Sequence, residues 1–163
     1  MPAGALASFT ERFEMVLTDL KAMPRGVTIL AEGWGLRPDL VAPLIETPAR
    51  SVFLVPTEAY RQQQIGTLAR AGQFVGARVS DPERAQRNRT ERDRLLALDV
   101  VDSAGRLGLP VILVDGNQGV PGLADLVERQ FRPFLPSWLY ESAPAVALEP
   151  HQSMRGRRAP VDG

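Results

Sequence analysis

Glu32 ends the apolar run Val27-Thr28-Ile29-Leu30-Ala31 and is followed by Gly33-Trp34-Gly35. In open parallel sheets, ligands bind beyond the carboxyl ends of the strands. A carboxylate there can order Mg²⁺ through water or accept a proton from a substrate hydroxyl. It can also be a turn glutamate that caps the next helix. Arg84, Arg87, Arg89, Arg92 and Arg94 fall within eleven positions of one helical stretch. Arg84, Asn88 and Arg92 recur at i, i+4 and i+8 and so share a face, with Arg89 and Asp93 beside them. A guanidinium fork matches the oxygens of a transferring phosphoryl group. The same charges, laced with Glu91 and Asp93, also suit a solvated helix face. Asp115-Gly116-Asn117 follows the run Pro110-Val111-Ile112-Leu113-Val114. Such a loop can meet a nucleobase through backbone groups, or it can be simple strand-to-helix turn chemistry. Val55-Pro56-Thr57 makes a similar corner, where Thr57 can cap a helix.

Composition excludes several other chemistries. With no cysteine, there is no disulfide, thiolate metal site or cysteine nucleophile. The single histidine, His151, lacks the partners of a histidine metal site or a catalytic triad, and no metal ligands are assigned. Nineteen basic residues balance nineteen acidic ones, which argues against specific nucleic-acid binding. Lys21 is the only lysine; the remaining basic residues are arginines, through genome bias or through anion binding. No apolar run reaches the roughly 18–20 residues of a membrane span. Residues 1–7 are too short and uncharged for a signal peptide. A cytoplasmic protein is the expectation.

The elements that must position these residues alternate between strand and helix. Phe9, Phe13, Val16, Leu17 and Leu20 recur at helical spacing behind a capping-box pattern at Ser8 and Glu11, predicting a helix over 8–22. Strands are predicted over 27–31, 51–55 and 110–114, each almost wholly apolar, as in a parallel sheet covered on both faces. Helices are predicted over 38–46, 57–70, 81–107 and 123–135, with Asp81-Pro82 opening the longest. Residues 71–80 are expected to form a loop. At 163 residues the chain makes one domain, taken as 8–135 between a short leader, 1–7, and a Pro- and Arg-rich tail, 136–163, expected to be disordered. The fold class is α/β, a three-layer open and mainly parallel sheet flanked by helices.

The series of Glu32-Gly33, Val55-Pro56-Thr57, the arginine helix 84–94 and Asp115-Gly116 resembles the nucleoside and nucleotide kinase-like P-loop NTPases, a group that includes shikimate kinase, cytidylate kinase and chloramphenicol phosphotransferase. The likeness covers about 8–135 and corresponds to the carboxyl-terminal part of that fold. It implies an ATP-dependent phosphotransferase using ATP and Mg²⁺ on a nucleotide or small-molecule phosphate acceptor. Glu32 would be the acidic residue near the acceptor. Arg84, Arg87, Arg89 and Arg92 would be the lid arginines, with Asn88 among them on the nucleotide side. Asp115, Gly116 and Asn117 would lie beside the adenine. The sequence departs from the family where it matters most. The loop G-x-x-x-x-G-K-[ST] is absent, and so is the central strand that the family places between the strands matching 27–31 and 51–55. ATP turnover is not expected from these 163 residues alone, and the reading frame is expected to continue upstream. The alternative is a non-catalytic α/β binding or regulatory module derived from that scaffold.

Overall fold

A computed structural model describes residues 3–67 and 80–141. The chain begins with helix α1 (Ala3–Ala22). The capping-box serine therefore lies inside the helix, because the alanine-rich start has the highest helix propensity and carries the helix further back. Phe9 and Phe13, one turn apart, are its buried residues. Gly26, at φ +83°, turns the chain after Pro24.

Residues 27–31 do not form the expected strand. They carry no ladder pairing, and Val27 and Leu30 are more than half exposed. An extended segment becomes a strand only when a neighbour takes its backbone hydrogen bonds, and none lies beside it among the described residues. Helix α2 (Pro38–Val41) is shorter than the pattern suggested. Pro38 sits at its first turn and is fully buried. Pro43 has no N–H to continue an α-helix, so residues 42–44 tighten into a 3₁₀ turn.

The sheet consists of two parallel strands, β1 (Phe53–Pro56) and β2 (Val111–Val114), in the register Phe53 to Val111 and Val55 to Leu113. Helix α3 (Glu58–Thr67) follows β1 directly. Helix α4 (Pro82–Arg106) connects back to β2, as a parallel pair requires. Asp81 caps α4 by accepting from the Arg84 N–H at 2.9 Å. The fully buried Ala104 and the neighbouring Ser103 let the end of α4 approach the sheet. Gly108 turns the chain at φ +66°, and the Leu109 N–H returns to the Ala104 carbonyl. Helix α5 (Gly119–Phe131) begins earlier than expected and closes with a 3₁₀ turn over 132–134. Its Gln130 donates to the Ala49 carbonyl, tying it to the approach to β1. A last turn, α6 (Trp138–Glu141), lies in the segment expected to be disordered. Residues 142–163, and the expected loop apart from Ser80, fall outside the described residues.

Arg37 joins the amino-terminal part to the rest. It is 4% exposed, lies over the Phe9 ring at 5.3 Å, and pairs with Asp99 of α4. The architecture is thus α/β, mostly helical, around a small parallel sheet. Among the described residues, no helix is long and apolar enough to cross a membrane.

Candidate functional site

The carboxyl ends of the two strands come level. The Thr57 N–H donates to the Val114 carbonyl at 2.9 Å, extending the ladder to the corner. Thr57 caps α3, its hydroxyl accepting from the Tyr60 N–H at 3.3 Å. After β2, the Asp115 carboxylate accepts from the Asn117 backbone N–H at 2.9 Å and from its side-chain amide at 2.7 Å. This local turn holds Gly116 at φ +89° against the Tyr60 ring. Thr57, Asp115, Gly116 and Asn117 therefore share one corner of the fold. The Asp115 carboxylate shapes its own loop there.

Glu32 does not join that corner. It lies on the unpaired stretch after residue 31 and is exposed. With no strand at 27–31, no sheet edge carries its carboxylate toward the ends of β1 and β2.

The predicted arginines are distributed around α4 rather than gathered into one clamp. Arg92 binds Asp93 through Nε and Nη2 at 3.0 and 2.7 Å. Arg89 lies 3.9 Å from the same carboxylate. Arg94 makes a two-point pair with Glu91 at 2.9 and 2.7 Å. Arg87 has only a 3.5 Å contact with Glu83. Arg84 and Asn88 are exposed near the start of the helix. At 3.6 residues per turn, 87 and 94 fall on one side of the helix and 89 and 92 on others. Arg87 is accordingly the one member of the expected trio Arg87, Arg89 and Arg92 that lines a cavity between α3 and α4. Short Glu and Asp spacings satisfy the others locally.

That cavity has a volume of about 480 Å³. Helix α4 brings Gln86, Arg87 and Arg94 to it, and α3 brings Arg61 and Gln62. Arg61 was not a candidate from the sequence, yet it is the buried residue of α3, at 8% exposure. Its Nε and Nη2 hold the Glu58 carboxylate at 2.9 and 2.7 Å, and its Nη1 donates to the Thr90 carbonyl at 3.0 Å. Hydrogen bonds from Arg61 and then Gln62 lower the pKa of Glu58 to about 2. Glu91 is lowered chiefly by its hydrogen bond from Arg94, and Arg94 is raised by the same bond. The available sequence signal was the i, i+3 pair Glu58 and Arg61 on a helix poor in apolar residues.

No family model, curated protein or solved structure matches this chain. Among the described residues, no three Asp, Glu, His or Cys side chains converge as a metal site. The sequence holds no lysine-bearing glycine loop to cradle phosphates. These residues do not by themselves compose a Mg²⁺-ATP site.

Proposed function

We propose that this chain is the acceptor-side part of an ATP-dependent phosphotransferase of the small-molecule or nucleotide kinase-like group, with the phosphate-binding loop outside these 163 residues. The observation that carries this reading is the parallel pairing of β1 and β2 across the arginine-bearing helix α4, with Thr57 and Asp115–Asn117 level at the strand ends. That is the order in which the kinase-like fold presents its lid and base-side loop. The exposed apolar run 27–31 supports it too, since it has the composition of a buried strand but no neighbour. A central strand would supply that neighbour, complete the three-layer sheet, and bring Glu32 to its carboxyl edge. Glu32 would then accept the proton of the acceptor hydroxyl, while the α4 arginines would face anionic oxygens. A cytoplasmic location accompanies this reading.

A second reading is a non-catalytic α/β binding module. The pairing of Arg92 with Asp93 on its own helix favours it, because that guanidinium group is already engaged through Nε and Nη2. Sequencing the DNA upstream of Met1, followed by a phosphotransfer assay on any longer in-frame product, distinguishes the two. An in-frame strand, a glycine loop with Gly-Lys-Ser/Thr, and ATP-dependent transfer support the phosphotransferase. A stop codon close upstream leaves the binding module.

A further inference from the structure

We propose that the cavity between α3 and α4 binds a phosphate monoester of a small hydroxylated molecule, with Arg87 and Arg94 holding the phosphate and Gln86 accepting a hydrogen bond from the body of the ligand. The site is separate from the strand-end corner and requires no phosphotransfer. It therefore stands whether or not the reading above does.

Three observations converge. First, three guanidinium groups from two helices line the cavity, and among the described lining residues Glu91 alone is acidic. Arg61 is committed through Nε, Nη1 and Nη2 to Glu58 and the Thr90 carbonyl, and so fixes the two helices against each other. Arg94 engages Glu91 through Nε and Nη2, which leaves its Nη1 for a ligand. Among the described residues Arg87 is held only by the 3.5 Å contact to Glu83, both side chains being mostly exposed. Exposed pairs of that kind are weak. Arg87 can turn to an oxyanion with little loss, and a charge-assisted pair with phosphate is stronger and better directed.

Second, Gln86 is among the lining residues, and its buried Oε1 has no hydrogen-bond partner among the described residues. Buried acceptors are rarely left unpaired in folded proteins. A ligand that satisfies it must bring an O–H or N–H donor, and a hydroxyl on a carbon skeleton supplies one while the phosphate oxygens face the arginines. Third, the volume of about 480 Å³, in a cleft open to solvent, exceeds what a free phosphate fills. Ile65 supplies an apolar surface among the lining residues for the carbon skeleton. Ribose phosphates and nucleoside monophosphates share the required chemistry.

The test is calorimetric titration of the whole chain with ribose 5-phosphate, AMP and inorganic phosphate at low salt, each repeated on variants. Either ester should bind more tightly than inorganic phosphate, and the stronger of the two identifies the source. Arg87→Ala and Arg94→Ala together should weaken that ester at least about tenfold, while Arg106→Ala, on the exposed end of α4, should leave it unchanged. Gln86→Leu should reduce the preference for the ester over inorganic phosphate. Melting curves on each variant separate lost binding from lost fold, and Arg87→Ala serves alone if the double variant melts early. Absence of binding by all three probes, an unchanged affinity in a folded Arg87→Ala, Arg94→Ala variant, or equal affinity for ester and inorganic phosphate would overturn the proposal.

Discussion

The Tyr60 ring lies over Gly116 so closely that a Cβ on residue 116 would come within 2.5 Å of Tyr60 Cε2. This contact sets the distance between the start of α3 and the loop after β2. Gly116 also sits at φ +89°, where a side chain is strained regardless of space. Gly116→Ala should therefore destabilise the fold by about 1–3 kcal/mol. Tyr60→Ala should relieve the steric part, so the double variant should lose less than the two single losses added. Thermal melts of the three variants check this, and strict additivity would place the cost in φ alone.

Arg37 and Asp99 form the ion pair that joins α2 to α4, with Arg37 buried and Asp99 partly open. Removing Asp99 leaves the buried guanidinium with only the more exposed Asp39 carboxylate, 3.5 Å from its Nε, as counter-charge among the described residues. Asp99→Ala should cost about 3 kcal/mol, at the low end for buried pairs because Asp99 retains some solvent. Arg37→Met in the Asp99→Ala background should recover part of that loss. Denaturant titrations on the cycle would show it, and a cost near zero for Asp99→Ala would mean that Asp39, 3.5 Å away, and the Phe9 ring suffice to hold Arg37.

The Glu58 and Arg61 pair makes stability depend on acid. The folded pKa of Glu58 is depressed from 4.5 to about 2. A depressed carboxylate contributes stability that is present above its unfolded value and is lost as pH falls through the folded one. The contribution of Glu58 should be complete above about pH 4.5 and fade toward pH 2. Glu91, lowered by Arg94, should act in the same direction. Melting temperature measured against pH for Glu58→Gln should show a shallower acid limb than the unaltered chain. Parallel curves would remove Glu58 from the acid response.

Glu32 is exposed and lies outside the two paired strands, so Glu32→Gln should leave the unfolding free energy within about 0.5 kcal/mol of the unaltered chain, as denaturant titration would show. In a longer product with phosphotransfer activity, the same change should abolish turnover, because the amide cannot take a proton from the acceptor. Retained turnover would return Glu32 to the role of a turn residue.

This chain alone should bind ATP weakly or not at all, because the backbone amides and lysine that cradle phosphates are missing from its sequence. Titration with a fluorescent ATP analogue and Mg²⁺ measures this. Micromolar affinity, about −8 kcal/mol, would mean that the nucleotide site lies elsewhere on these residues.

Local chemistry made much of the fold legible in the sequence. Asp81-Pro82 marked the start of α4, Gly108 its end, Thr57 the cap of α3, and the two apolar runs around Val55 and Leu113 the strands that pair. Each signal depends on residues within one or two turns, so neighbouring sequence suffices. The turn glycine Gly116 and the arginine content of α4 were equally visible. What the sequence could not decide was pairing. The run 27–31 is as apolar as β1 and β2, but strand formation needs a backbone neighbour, and only the tertiary arrangement reveals that it lacks one. The arginines could be counted but not aimed. The phase of α4 turns Arg87 and Arg94 toward α3 and leaves Arg89 and Arg92 on other faces, while buried Arg61 emerges only because α3 packs beside Thr90. Caps and turns are properties of short segments, whereas cavities and unpaired edges belong to the relation between segments distant in the chain.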